Sequence, residues 1–472
     1  MEYKVVIGLE VHAELKTESK IFCSCSTAFG AEANTQVCEI CTGMPGTLPK
    51  LNEKVLEYAV RTGLALNCDI TKFSRFDRKN YFYPDLPKAY QISQLYLPIC
   101  TNGYLEIDGG KRIRIHEMHM EEDAGKLIHD EKINRTLINY NRCGVPLIEI
   151  VTEPDFESAN EAVDFLKRLK ALLEFCGVSD CKMQEGSLRA DVNVSVMKEG
   201  DTELGTRCEM KNMSSFKAIE SAINYESKRQ IDVLENGGTI TQQTLRFDEK
   251  LLKTFPLRSK EEAKDYKYFP DPDLPPITIT DDYIKRIKNN LPELPEAKRA
   301  RYKNEYNLSD YDTELICSDR AFAVLFEKTV SLTSAPKECA NWICGEVMRL
   351  LSQSQTLPED MRFSPESLAE IITMVLDGKI TRNTAKEVFE RVFYDDVNPT
   401  EYVQNNQLAI VNDSKLVSTT VQKVINDNRK AVNEYKSGKD KALGFLIGQV
   451  MRALGGKADA NAVKDEILRV IN

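Results

Sequence analysis

The chain has 472 residues, enough for roughly two to four domains at about 150 residues each, with 42% hydrophobic and 29% charged residues. Its formal charge of −10 means that nucleic acid must be met by a local basic surface, not by the field of the whole molecule. No apolar run approaches the ~18 residues of a membrane span, and the first one meets Glu10 too early for a secretory leader. These features predict a cytoplasmic protein with no membrane partner, whose thirteen cysteines are thiols or metal ligands and not disulfides.

In chain order, the spacing predicts a strand over 3–15, with Glu10, His12 and Glu14 on one face and Leu9, Val11 and Ala13 on the other. Two close cysteine pairs follow, Cys23/Cys25 and Cys38/Cys41. Two such pairs across a short loop suit tetrahedral thiolate coordination of a structural Zn²⁺, and four free thiols are the plain alternative. A helix is predicted over 52–66. The stretch FDRKNYFYPDLPKAYQISQ (76–94) offers Arg78, Lys79 and Lys88 as anion binders, and Tyr81, Tyr83 and Tyr90 as rings that stack or pack. A Pro-rich turn followed by an edge strand explains that spacing equally well.

Strands are predicted over 112–120, 144–151, 188–196 and 205–212, and helices over 159–177 and 215–238, each helix ending in Gly. In MHMEEDAGK (118–126), His119 and Glu121 share one face while Met118, Met120 and Glu122 share the other. Such a strand offers only one of the two glutamates to a common site unless a bulge re-aims it. Glu149 interrupts the apolar run VPLIEIV, where a carboxylate is disfavoured unless it is paired or holds a cation. Arg189, Asp191, Asn193 and Ser195 share a face, as do Arg207, Glu209 and Lys211. A sheet with one wet face explains the arginine strands but not Glu10 or Glu149. Acids with a histidine and several cations on one sheet are what a Mg²⁺–nucleotide site needs.

Proline punctuates 268–280 and 289–298, and the pattern beyond is helical. Ser364-Pro365 is predicted to open a helix that Gly378 closes. A second break is predicted over 397–406. Residues 414–472 then read as a small helical domain whose Lys415, Lys423, Arg429, Lys430, Lys436, Lys439, Lys441, Arg452, Lys457, Lys464 and Arg469 outnumber its acids. There is no GxG pair, and no Gly-Lys is followed by Ser or Thr, so neither the dinucleotide fingerprint nor a P-loop is present.

Several blocks together resemble a known family. GLEVHAELKT (8–17), the 76–94 stretch, HMEEDAGK (119–126), NYNRCGVPLIEIVTEPDF (139–156), EGSLRADVNVSV (185–196), GTRCEMKNMSSF (205–216) and KALGFLIGQVMRA (441–453) carry it. They are similar to the B subunits of the aspartyl/glutamyl-tRNA(Asn/Gln) amidotransferases, over essentially the whole chain. The resemblance implies an α+β fold: a glutamine-synthetase-like cradle domain with a mixed or antiparallel sheet over 1–292, a helical linker domain over 293–405 and a helical tRNA-binding tail over 406–472. It implies that ATP phosphorylates the side-chain carboxylate of Glu-tRNA(Gln) or Asp-tRNA(Asn). Ammonia from a separate amidase (A) subunit then gives the amide, and a small C subunit completes the enzyme.

By motif, Glu10, His12, Glu122 and Glu149 resemble the Mg²⁺-binding catalytic set, with Lys79 beside it. Arg78, Tyr81, Lys88, Arg189, Asp191, Arg207 and Lys211 are expected to line the ATP site, with Lys126 a nearby partner for a phosphate or carboxylate. Asn139 and Ser214 depart from the family pattern, which has Asp and Asn there. Two other readings compete: an RNA-binding scaffold without chemistry, and a free-standing carboxylate–amine ligase for a small metabolite. Glu10 and Glu149 argue against the first, and the basic tail against the second.

Overall fold

The computed structural model describes residues 3–130, 134–257, 266–410, 414–439, 441–455, 458 and 460–471. Lys457 lies outside them, as does the side chain of Lys415. The chain divides into two compact units, Met1–Pro295 and Glu296–Asn472.

The first unit is built on a nine-stranded sheet. Its order is Lys253–Pro256, Gln243–Asp248, Cys208–Lys211, Leu188–Lys198, Tyr3–Glu14, Pro146–Thr152, Arg112–Glu122, Cys100–Glu106 and Asp69–Ile70. All neighbours are antiparallel except Cys208–Lys211 and Gln243–Asp248, which run parallel. The sheet is therefore mixed, and with its helices the unit is α+β. Strict alternation makes one sheet face apolar: Leu9, Val11, Met118, Met120, Ile148, Ile150, Val192 and Met210 are all buried in one cluster. Against it pack Val60 from Glu53–Ala65, Leu166 from Ala159–Cys176 and Ile219 from Phe216–Glu235.

Those helices start where sequence chemistry satisfies their free N–H groups, on the side-chain oxygens of Asn52, Ser158 and Ser215. Ala159–Cys176 stops at Gly177, whose φ of 68° is a left-handed conformation that glycine adopts without cost. The opposite sheet face has no such cover from these helices. It carries the polar alternates, and it is where the acids and bases meet.

Two smaller pairings border that face. Asp77–Asn80 and Tyr90–Ser93 pair antiparallel, with Phe269–Pro270 on the other side of Asp77–Asn80. Lys126–Asp130 and Arg135–Asn139 form a separate hairpin.

Among its described residues, the second unit is helical. One apolar cluster runs from Tyr302 to Val403 and another from Val421 to Ile471. Ser364 caps Pro365–Leu376, and Gly378 follows it at φ 66°. The stretch 397–406, predicted as a break, holds the helix Pro399–Asn405, capped by Asn398. Asn-Pro is a turn signal, but Asn as cap and Pro at the first position also open a helix. The tail consists of Ser414–Asp427, Arg429–Lys436, Lys441–Ala453 and Ala460–Ile471. On it, Lys423, Arg429, Lys430, Lys436, Lys439, Lys441, Arg452, Lys464 and Arg469 are exposed. No helix among the described residues is long and apolar enough to cross a membrane.

Candidate functional site

The strand register builds the centre of the polar face. His12 lies directly opposite Glu149 on one side and Arg189 on the other, and Glu149 lies opposite His119. Directly paired antiparallel residues hold their Cβ atoms about 4.5–5.5 Å apart, so His119, Glu149, His12 and Arg189 form one row across four strands. Glu149 Oε2 is 3.1 Å from His119 Nε2 and 3.5 Å from His12 Nε2. Glu121 Oε1 also lies 3.5 Å from His12 Nε2. Ser93 Oγ joins His119 Nδ1 at 3.1 Å and donates to Glu121 Oε2 at 3.3 Å.

Burial opposes protonation of His12, but Glu149 and Glu121 outweigh it and raise its pKa to about 9. His119 is raised likewise, against its burial, mainly by Glu149. Burial and the neighbouring Glu149 push Glu121 up, whereas the two imidazoles hold Glu149 well below the carboxylate range in spite of burial. One ligand atom each from His12, Glu121 and Glu149 lies within 4.8 Å of the others, close enough to hold a metal ion.

A second acidic group lies beside the first. Glu10 is opposite Asp191, and Asn193 opposite Glu209. Asn193 Nδ2 donates to Glu10 Oε1 at 3.0 Å, and Lys211 ion-pairs with Asp191 and, at 2.8 Å, with Glu209. Glu10, Asp191 and Glu209 also bring three oxygens within 4.8 Å of one another. Burial and then Glu149 raise the Glu10 carboxyl, so the two groups sense each other. A cavity of about 360 Å³ opens over Glu10, Glu209 and Thr244, with exposed Arg207 at its side. An adjoining cavity of about 210 Å³ between Val6, Leu9, Leu204 and Arg207 has more apolar walls.

Lys79, Tyr81 and Tyr268 border the histidine row. The Lys79 ammonium is 5.1 Å from the Tyr266 ring centre and 5.9 Å from that of Tyr81, and its charge reaches Glu121. Burial first, then nearby acids including Glu121, push the Tyr81 and Tyr268 hydroxyls above the usual tyrosine range.

Four expected residues take other positions. Glu122 faces away from His12: it is 3% exposed, ion-pairs with Lys88 and accepts the Ile92 N–H at 2.9 Å. The structure thus puts Glu121, not Glu122, beside His12 and Glu149, as unbroken alternation along Arg112–Glu122 requires; the register shift lies at Val151/Thr152. Lys88 is neutralised by Glu122. Arg78 is spent on Asp271 at 2.8 Å and Asp273 at 2.7 Å, stacked 4.2 Å from the Tyr90 ring centre. Lys126 is exposed at the start of the hairpin.

His119, Asp123 and Tyr268 were not among the candidates. His119 shares its strand face with Glu121, the one signal that could have found it. Asp123 is buried and binds Arg189 at 2.9 Å and Arg142 at 3.3 Å, and nearby Glu14 is raised to about 8, by burial and then by Asp123.

The four cysteines Cys23, Cys25, Cys38 and Cys41 place their sulfurs within 4.8 Å of one another and could hold a metal ion. Buried Lys20 donates to Gln36 O at 2.7 Å and to Cys41 Sγ at 3.6 Å. Hydrogen bonding from Cys23, reinforced by Lys20, lowers Cys41 to about 4, while burial and Cys38 push Cys25 up to about 11.

Residues 5–285 match a family model described as the GatB/GatE catalytic domain, and 324–471 one described as the GatB domain. The B subunit of the aspartyl/glutamyl-tRNA(Asn/Gln) amidotransferase of Lachnoclostridium phytofermentans is 55% identical over 470 residues, 99% of this chain and 98% of that protein. The proteins of the same name from Caldicellulosiruptor saccharolyticus and Caldanaerobacter subterraneus are 53% and 54% identical, each alignment covering 99% of both chains.

Proposed function

The chain belongs to the GatB/GatE family, among the B subunits of aspartyl/glutamyl-tRNA(Asn/Gln) amidotransferases, and we propose that its polar sheet face activates the side-chain carboxylate of a misacylated tRNA for amidation. The observation that carries this reading is the pair of acidic groups, His12–Glu121–Glu149 and Glu10–Asp191–Glu209, side by side on one face.

A carboxylate is a poor electrophile. One of its oxygens attacks the γ-phosphorus of ATP, ADP leaves, and the acyl phosphate then has a good leaving group. Ammonia nitrogen adds to the carbonyl carbon, and phosphate departs with the original carboxylate oxygen. Such a sequence relies on positioning and charge neutralisation. The all-oxygen set Glu10, Asp191 and Glu209 suits Mg²⁺, and His12, Glu121 and Glu149 add an imidazole to a second such set. Bound there, Mg²⁺ would supply neutralisation of phosphate charge. Lys211 and Asn193 fix the orientation of the Glu10 set, and Arg189 and Lys79 bring positive charge to the row where the substrate carboxylate must lie. The apolar-walled cavity by Leu9 and Leu204 suits a nucleotide base, with Arg207 beside it for phosphate. Arg78 and Lys88 serve as structural braces in this scheme.

We assign Zn²⁺ to the four-cysteine cluster, where four soft ligands leave no open position. Residues 1–292 carry the chemistry, 293–405 form a helical linker and 406–472 a tail for tRNA phosphates, supported by its separate apolar cluster and exposed cations. Ammonia comes from an amidase partner subunit, with a small third subunit alongside. The test is amide formation on both misacylated tRNAs by the reconstituted enzyme. Glu149→Gln and His12→Ala are expected to lower kcat at least 100-fold with tRNA binding intact. Full activity in either variant would remove the row from the mechanism.

A further inference from the structure

One cavity is used by none of the chemistry above. It has a volume of about 260 Å³ and lies between the cysteine loop and the base of the 126–139 hairpin, lined by Phe29, Gln36, Lys126, Asn139, Arg142 and Glu14 among others. That volume lies just below the usual range of small-ligand pockets, about 300–1,000 Å³, and suits part of a nucleotide.

Its walls are held in place from both sides. Asn34 Nδ2 donates to Ile138 O at 3.0 Å, and Asn34 Oδ1 accepts the Tyr140 N–H at 2.7 Å. Asn141 returns the clasp, donating to Glu32 O at 2.7 Å and accepting the Gln36 N–H at 3.0 Å. Asn139 Oδ1 accepts the Asn141 N–H at 2.9 Å. Among the described residues, the Asn139 amide nitrogen and the Lys126 ammonium have no hydrogen-bond or ion-pair partner, so a donor and a cation on this cavity are uncommitted. Phe29, between the two cysteine pairs, is 73% exposed. An aromatic ring left in water at a preformed cavity of mixed polar and apolar lining, with a free amide and a free cation, matches a nucleotide: a base stacks on the ring and a phosphate meets the ammonium.

The cavity's position specifies which nucleotide. Glu14 lies two residues beyond His12 on the same strand face, about 7 Å along the strand. Arg142 on the cavity wall and Arg189 in the histidine row share Asp123. An aminoacyl group on a ribose oxygen reaches its side-chain carboxyl carbon through five bonds for glutamate, roughly 6 Å when extended. A nucleoside in this cavity therefore delivers its esterified carboxylate to His12, Glu121 and Glu149. ATP must reach the same carboxylate from the Glu10 side.

We propose that this cavity takes the 3′-terminal nucleoside of the aminoacylated RNA, with its base stacked on Phe29 and its phosphate paired with Lys126. The inference rests on the function proposed above. It gives the cysteine cluster a task in substrate binding, since the loop that carries Phe29 is anchored by those thiols.

The test uses the reconstituted multi-subunit enzyme and misacylated tRNA, with Phe29→Ala, Phe29→Trp and Lys126→Ala. Phe29 is largely exposed, so its replacement leaves the core intact. Phe29→Ala is expected to raise KM for misacylated tRNA roughly 5- to 150-fold, the range for loss of one base–aromatic stack. KM for ATP and the kcat of amidation should stay within about twofold, the same scale as small surface effects. Phe29→Trp should restore tRNA KM. Placing 2-aminopurine at the RNA 3′ end should give a fluorescence change on binding to wild type and Phe29→Trp, and none with Phe29→Ala. An unchanged tRNA KM and fluorescence response in Phe29→Ala would overturn the assignment, and a raised KM for ATP instead would give the cavity to ATP. If wild type itself forms no amide, the failure belongs to the proposed function and not to this cavity.

Discussion

Lys88 and Glu122 were expected to act on ATP and metal, but they face each other in a buried pair, 8% and 3% exposed. Lys88→Met keeps the side-chain length and removes the charge. Glu122 then stays buried with the Ile92 N–H, at 2.9 Å, as its remaining main-chain donor. Breaking a buried pair by removing one partner costs about 3–5 kcal/mol, and the retained N–H bond puts this case at the low end, about 3 kcal/mol. Lys88→Met/Glu122→Leu removes both charges and should lie within about 1 kcal/mol of wild type, recovering about 2 kcal/mol of the Lys88→Met loss. Tryptophan fluorescence is blind to this unit, because the single tryptophan, Trp342, is in the helical one. Amide hydrogen exchange in peptides from 112–122 and 146–152 reads the opening free energy instead. If the double variant were as destabilised as Lys88→Met, lost packing and not an orphaned charge would be the cause. Unperturbed KM for ATP in the double variant would separately support a bracing role.

Three further outcomes are expected. Cys38→Ser should abolish stoichiometric zinc in the purified chain and raise hydrogen exchange at 138–141, because Asn34 and Asn141 tie that segment to the cysteine loop; unchanged exchange in the zinc-free protein would break that link. Glu327 lies below the usual carboxylate range, since hydrogen bonds from Lys298 and Arg301 outweigh its burial. Its contribution to stability is therefore full above about pH 4.3, the ordinary glutamate value, and is lost as pH falls through the lower folded value. Glu327→Gln should flatten the acid limb of Trp342 fluorescence, and identical acid midpoints would refute the pairing. Deleting 406–472 should raise KM for misacylated tRNA and shrink its salt dependence by about 0.9 in log–log slope for each phosphate that the tail neutralises; an unchanged slope would remove the tail from tRNA binding.

Much of the site was legible because period-2 alternation is a local property. Along the sequence it puts Glu10 and His12 on one face of Tyr3–Glu14 and separates Glu121 from Glu122. What it could not supply was the pairing of strands distant in sequence. His119 matters because residue 149 is its cross-strand partner, and Glu209 because Asn193 is opposite it. The same limit explains Arg78 and Lys88, which look like free cations until Asp271, Asp273 and Glu122 arrive from elsewhere in the fold. At 397–406 the failure was local: Asn-Pro serves both a turn and a helix start, and the packing of Val403 selected the helix.

The proposed function requires that the substrate's own carboxylate be phosphorylated at this chain's site before ammonia arrives. Misacylated tRNA carrying ¹⁸O in the glutamyl side-chain carboxylate, incubated with the reconstituted enzyme, ATP and an ammonia source, tests it directly. One labelled oxygen should leave in inorganic phosphate for each amide formed, and Glu149→Gln should suppress label transfer and amide together. Amide formed with no label in phosphate would rule out an acyl phosphate on the substrate carboxylate.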